Sequence, residues 1–367
     1  MRILIVTFDP PENIGGVEGR AIGYTKQLVK MGEFVELIAL APHYKFSSES
    51  FYGAKLHKYP STIKKILAAF RSAVREIASN SIDSVFLLSG GITLLGILLL
   101  LYLRLAGVKS AIFFYGKDIL TAKKSPASFL ALILALFLTR RIGTNSAFTA
   151  SLLPRAFSSK LNILYPAVDP EILESFAPQQ RPKDMKRILF VGRLVRRKGV
   201  DDLLGAFGSL VQEVRNIELE IVGHGPEIEA LQKLARGLDI EEMVHFTGEL
   251  SGPPLYQRYS VADVFVMPSK RFDADVEGFG TVFLEAGLFG KPSIGTWSGG
   301  IPEAVLHGET GILVREEDLG DLEQWMHRLL TDSAIAERLG QAARTRVLEN
   351  FTWQKSTEAL VRLFEDD

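Results

Sequence analysis

Arg187-Ile-Leu-Phe-Val-Gly-Arg-Leu-Val-Arg-Arg-Lys-Gly-Val200 passes from an apolar, β-rich run through a cationic glycine loop into a helical pattern. The run Arg187–Val191 reads as a buried strand and Val200–Val214 as the helix that follows, so the stretch is one βα unit. Toward the C-terminus, strand-like runs at Ile217–Ile221, Val244–Phe246, Val264–Val266 and Pro292–Ile294 alternate with helical patterns at Glu227–Arg236, Gly280–Leu288 and Leu319–Leu330. Toward the N-terminus the same alternation places strands at Arg2–Phe8, Phe34–Ala39, Ser84–Leu88, Ala111–Phe114 and Arg141–Gly143. Arg20–Met31, Ile63–Ser79, Ile92–Ala106 and Ser125–Thr139 lie between them, each long enough for a crossover helix. The pattern predicts an α/β protein with a doubly wound parallel sheet in each half. Pro166, Pro170, Pro178 and Pro182 mark the boundary between the halves.

Composition agrees with two full cores: 367 residues, 47% hydrophobic and 23% charged. The absence of cysteine excludes a disulfide framework, zinc ribbons, iron–sulfur ligation and a thiol nucleophile, and fits a reducing, cytoplasmic setting. The opening apolar run stops at Asp9, too soon for a signal peptide. A net charge of −1 hides an asymmetry, since residues 1–165 carry 20 Lys and Arg against 9 Asp and Glu, and the remainder 22 against 34. Either the halves attract each other, or the first faces an anionic surface or substrate. Nucleic acid is disfavoured, because the basic residues are scattered through helical patterns without interleaved exposed aromatics. Residues 84–103 are free of charge and reach the length of a membrane span, but Ser89-Gly90-Gly91 divides them into a strand and a helix. Ser125–Thr139, flanked by Lys123-Lys124 and Arg140-Arg141, suits a helix near an anionic membrane, where each basic residue contributes about 1 kcal/mol.

Three clusters point to chemistry. Gly15-Gly16 precedes a helix and lets backbone N–H groups face an anion, although the same pair also suits a tight turn. The spacing is not Gly-x-Gly-x-x-Gly, and Ile38-Ala39-Leu40 offers no acid for a dinucleotide ribose, which disfavours a nicotinamide enzyme. Arg193 and Lys198 stand at a strand end beside a helix start, where a guanidinium fork and a point charge can clamp a diphosphate. In Val276-Glu-Gly-Phe-Gly-Thr-Val-Phe-Leu-Glu-Ala286, Glu277 lies on a glycine-rich loop and Glu285 inside an otherwise apolar helix. A carboxylate in such surroundings needs a partner or a ligand. The N–H groups of Gly280, Thr281 and Val282 begin that helix and point toward an anion.

With Val222-Gly-His-Gly-Pro226 and Gly299-Gly-Ile-Pro-Glu303 added in order, the chain resembles, over nearly its whole length, the retaining glycosyltransferases of family 4 (group 1). The resemblance implies the GT-B fold, two Rossmann-like domains facing across a cleft. Its expected divisions are an acceptor-side domain over 1–165, a linker over 166–186, a nucleotide-sugar domain over 187–345 and a closing helix over 346–367. It implies transfer of a hexose-type sugar from a nucleotide sugar, UDP favoured over GDP, to a saccharide or lipid-linked acceptor in polysaccharide or glycolipid synthesis. Arg193 and Lys198 would neutralise the diphosphate and Glu285 would hold the ribose. Glu277 and the backbone over Phe279–Val282 would contact sugar and phosphate. The backbone at Glu249-Leu250 would read the base, and Gly15 and Gly16 would complete the diphosphate site. No metal or other cofactor is expected. Asp273-Ala274-Asp275 has the form of a metal motif but reads as a solvated loop.

One position departs from the family. Where its members usually carry His-Gly-x-Asp, this chain has Tyr115-Gly116-Lys117-Asp118. Tyr115 can donate a hydrogen bond but carries no charge at neutral pH, and Asp118 reads as a helix cap. His43 and His57 read as loop residues. The alternatives are a non-catalytic sugar-nucleotide binder, or another enzyme on the same plan such as an epimerase or a glycogen-type synthase.

Overall fold

The computed structural model describes residues 1–7, 16–40, 50–51, 54–59, 63–79, 82–88, 92–174, 185–273 and 275–365. The chain forms two compact units, Met1–Pro166 with Trp353–Asp367, and Ala167–Thr352. In the first, strands β1 (Arg2–Thr7), β2 (Phe34–Leu40), β3 (Ser50–Phe51), β4 (Ala54–Tyr59), β5 (Ser84–Leu87), β6 (Lys109–Phe114), β7 (Arg141–Thr144) and β8 (Leu161–Ile163) form one sheet. Its order is β3-β4-β2-β1-β5-β6-β7-β8, parallel throughout except for β3 on β4. Helices cover both faces, which is why β1 is an unbroken run of Ile3, Leu4, Ile5 and Val6 at 0% exposure.

The second unit holds β9 (Lys186–Val191), β10 (Ile217–Val222), β11 (Val244–Gly248), β12 (Val264–Val266), β13 (Ser293–Thr296) and β14 (Ile312–Val314). Their order, β11-β10-β9-β12-β13-β14, is parallel throughout and reverses direction between β9 and β12. Loops leaving the carboxyl ends of those two strands diverge and open a crevice at that point.

The alternating pattern of strands and helices is present in both units. The uncharged segment is split as expected, with β5 ahead of the helix Leu94–Leu105. Among the described residues no helix is long and apolar enough to cross a membrane. Some elements were not anticipated. The Ala54–Tyr59 segment, Ala-Lys-Leu-His-Lys-Tyr, alternates as an outer strand does, and it places His57 on β4 opposite Ile38 rather than in a loop. His43 lies outside the described residues. Of the expected 166–186 linker, Ala167–Glu174 belong to the second unit, while residues 175–184 fall outside the description. The helix Ser333–Asn350 also stays with the second unit, and the chain returns at Trp353 rather than at residue 346.

The returning helix Trp353–Glu365 completes the first core. Leu360, Leu363 and Phe364 are buried with Tyr24, Phe86 and Phe113. A side chain at position 23 would collide with the Trp353 ring at 2.3 Å, so Gly23 is what admits that ring. Ser356 Oγ donates to the Tyr165 carbonyl at 2.9 Å and meets Tyr24 Oη at 2.9 Å, while Arg20 Nη1 donates to the Leu164 carbonyl at 2.9 Å.

Candidate functional site

The crevice between β9 and β12 receives the cationic loop from one side and the glutamate loop from the other. After β9, the chain makes one tight turn over Arg196–Lys198 before the helix Val200–Leu210. That turn directs neighbouring cations differently. Arg193 is exposed, Arg196 lies at the surface over the Phe272 ring, and Arg197 and Lys198 point inward. Lys198 is 7% exposed and places Nζ 2.5 Å from Glu277 Oε2 and 3.2 Å from Met267 Sδ. Arg197 donates from Nη1 to the same carboxylate oxygen at 2.7 Å and pairs through Nε with Asp275 at 3.3 Å.

Burial opposes ionisation of Glu277, but Lys198 and Arg197 outweigh it and hold its pKa at about 2. The same burial pulls the Lys198 ammonium below its ordinary value against the pull of Glu277. The group is therefore a fixed charge cluster assembled from residues almost eighty positions apart. Asp275, expected to be solvated, is part of it, because Arg197 reaches it across the crevice.

The glutamate loop is braced from below. Gly300 N–H donates to the Glu277 carbonyl at 3.0 Å. A Cβ at Gly300 would sit 2.1 Å from the Gly278 carbonyl oxygen, so only glycine allows this approach. Gly300→Ala is expected to destabilise the second unit by about 1–3 kcal/mol, measured as a lower urea midpoint at unchanged m-value.

Gly280 ends the loop with φ +90 and starts the helix Thr281–Leu288. Phe279 is buried, and Thr281 and Val282 are half-buried. The first N–H groups of a helix have no acceptor within it, so this end favours negative charge. Further along, half-buried Glu285 accepts a 2.6 Å hydrogen bond from Tyr259 Oη, on the helix Pro253–Val261. Burial raises the Glu285 pKa and the Tyr259 bond opposes the rise. The partner that a carboxylate in that helix required is thus a tyrosine. Tyr259 stacks on Phe289, with ring centroids 5.9 Å apart and an interplanar angle of 9°.

Leu250 is half-buried just beyond β11, next to exposed Glu249. The loops after β10 and β11 are tied together, Gly223 N–H donating to the Gly248 carbonyl at 2.7 Å. In the first unit, half-buried Tyr115 follows β6, with its ring edge-on to Phe113 at a centroid distance of 4.8 Å. The Asp118 carboxylate accepts from the N–H groups of Tyr115, Gly116 and Ile119 at 2.9–3.1 Å; it stands inside the first turn of the helix Lys117–Ala122 rather than ahead of it, so it braces the approach to the helix instead of serving as the cap expected. Burial pushes its pKa up to about 6 against the backbone N–H groups that lower it. Gly16 begins the helix Gly16–Lys30, and Gly15 lies outside the described residues. Among the described residues no cluster of His, Asp and Glu is placed to hold a metal ion.

Sequence reasoning brought Glu277, Lys198, Phe279, Gly280, Thr281, Val282 and Glu285 to one strand-end region of one unit. It did not single out Arg197, Asp275 or Tyr259. For Arg197 the signal was present, a fourth cation beside Lys198, but its direction was not.

Residues 171–346 match the family model described as Glycosyl transferases group 1. The GDP-mannose-dependent alpha-(1-6)-phosphatidylinositol monomannoside mannosyltransferase of Mycolicibacterium smegmatis is 31% identical, over 98% of this chain and 97% of that protein. Among solved structures, sucrose-phosphate synthase from Thermosynechococcus elongatus is similar with a TM-score of 0.78 at 20% identity, covering 100% of this chain and 99% of that one. HepE from Anabaena in complex with UDP gives a TM-score of 0.80 at 17% identity, covering 100% of both chains.

Proposed function

The chain has the GT-B fold and belongs to the group 1 glycosyl transferases, and from that premise we propose that it transfers mannose from GDP-mannose to a phosphatidylinositol-type glycolipid with retention of configuration. The observation that carries the site is the Lys198–Glu277–Arg197 cluster at the strand-order reversal, beside the N-terminus of Thr281–Leu288. The choice of donor and acceptor rests on the M. smegmatis relative, which is matched end to end. The sequence alone ranked UDP ahead of GDP. Full-length similarity to a GDP-mannose-dependent enzyme weighs more than a family-wide preference, and this reverses the ranking.

In this reading the bond from the anomeric carbon to the diphosphate oxygen breaks and a bond from that carbon to the acceptor hydroxyl forms. The hydroxyl proton passes to the departing diphosphate. Leaving-group charge is the main electrostatic demand, and preorganised donors meet it at least cost. Arg193, Lys198 and the N–H groups of Thr281 and Val282 would hold the diphosphate, without a metal. Arg197 would keep Lys198 and Glu277 in register, since it shares the Glu277 carboxylate oxygen. Glu277 would orient the sugar and Glu285 the ribose. Gly16, Gly15, Leu250 and Tyr115 keep the roles that family resemblance suggests, with Tyr115 as a neutral donor to a sugar hydroxyl.

The test is thermal stabilisation by GDP-mannose, GDP, UDP and UDP-glucose, followed by transfer of labelled mannose to a phosphatidylinositol mannoside. GDP-mannose at about 100 times its Kd adds roughly 2.7 kcal/mol, a rise of about 5–10 °C. A larger rise with the uridine compounds overturns the donor. Stabilisation without transfer to any lipid acceptor returns the chain to a binding protein.

A further inference from the structure

We propose that the outer face of two neighbouring helices in the first unit, Leu94–Leu105 and Pro126–Leu138, docks on an anionic lipid bilayer. The first helix turns Leu99, Leu100 and Leu103 into the core. Its other side leaves Leu94, Leu98, Leu101 and Leu105 in solvent, with Leu94 73% and Leu105 80% exposed. Steps of four, three and four residues keep these leucines on one face. The second helix buries Leu132, Ala135 and Leu136 and leaves Leu130 68%, Leu134 44% and Phe137 63% exposed. The helices pack against each other, and their buried sides enter the same core cluster. Both bare stripes therefore face away from the sheet together. An ordinary crossover helix presents polar residues there, and a broad contiguous apolar patch marks a binding surface.

Charge selects the occupant. From residue 84 to residue 160 the sequence has nine Lys and Arg and one acid, Asp118. That acid is turned onto backbone N–H groups and offsets nothing outside. Arg104 is exposed between Leu101 and Leu105, Lys123 and Lys124 are exposed before the second helix, and Arg140 is exposed after it. An apolar face edged by cations, on a stretch of sequence whose one acid is Asp118, complements acyl chains below anionic headgroups. A second copy of the chain fits less well, because two-fold pairing sets one cationic edge against the other. The helices have 12 and 13 residues and lie in the interface rather than span it. The surface gives a lipid acceptor a reason to meet this chain, yet the binding itself needs no donor and does not depend on which sugar is transferred.

The experiment is flotation of the full chain with phosphatidylcholine vesicles, with and without phosphatidylglycerol, in the absence of nucleotide sugar. The expected result is co-flotation with the anionic vesicles at low salt. Leu130→Glu combined with Phe137→Glu is expected to weaken it about 100-fold while leaving the melting temperature unchanged, both side chains being solvent-facing. Lys123→Gln with Lys124→Gln should weaken it about 10-fold at low salt and much less at high salt. Three results overturn the proposal: wild-type protein left unbound by anionic vesicles, the Glu double variant floating like wild type, or a wild-type dimer that this variant splits while neither floats.

Discussion

Glu277→Ala is expected to lower kcat/KM about 100-fold or more, the size of one lost transition-state contact, or about 2.7 kcal/mol. Two losses combine in it. In the role proposed for it, Glu277 would no longer orient the sugar, and Lys198 and Arg197 lose the shared oxygen that fixes their positions. If the cations hold the departing diphosphate as proposed, misplacing them should lower kcat as well as raise KM. Steady-state kinetics with GDP-mannose measures this, and near-normal turnover removes Glu277 from the reaction. Glu277→Gln separates charge from shape. If orientation by hydrogen bonding dominates, it recovers part of the activity that Ala loses.

Lys198→Ala is expected to cost a similar factor of about 100 in turnover, and it should also cost stability. Lys198 and Glu277 are both largely buried, with side-chain exposures of 9% and 13%. Removing one ion of such a pair leaves the other poorly compensated, at a cost of about 3 kcal/mol. Arg197 still faces Glu277, so the loss should fall short of that for an isolated pair. A double-mutant cycle of Lys198→Met and Glu277→Gln under urea denaturation reads this coupling. The double variant should be less destabilised than the two single variants added together. Strict additivity would mean that the two charges do not support each other.

How far the site was legible follows from what local sequence encodes. Glu277 and Glu285 stood out because a glycine loop and an apolar helix make poor homes for an unpartnered acid. Their partners could not be read in the same way. Tyr259 reaches Glu285 from a different helix, and Asp275 is joined to Arg197 only once the loops after β9 and β12 face each other. Four cations in six residues announce an electropositive loop, yet the backbone turn over Arg196–Lys198 decides which of them point inward. The strands show the same division. The buried stretches Ile3–Val6 of β1 and Ile188–Val191 of β9 are continuous apolar runs, whereas β3, β8 and β14 have two or three residues. Period cannot mark an element that short, and Val264–Val266 of β12, of the same length, is marked by its β-rich composition alone.

The placement of Trp353–Glu365 in the first unit ties folding to the order of synthesis. Domains generally form as they leave the ribosome, N-terminal first. Here the first sheet is made early, but the residues that close over Tyr24 and Phe86 are translated only after the whole second unit. The whole of Ala167–Thr352 must emerge in between, which takes roughly 10–40 s at about 5–20 residues per second. During that interval the second unit holds all of its own strands and can finish, while the older one waits with an apolar surface uncovered. Chaperone dependence should therefore track the N-terminal half of the nascent chain, and a chain truncated just before Trp353 should hold a folded second unit and an unfinished first.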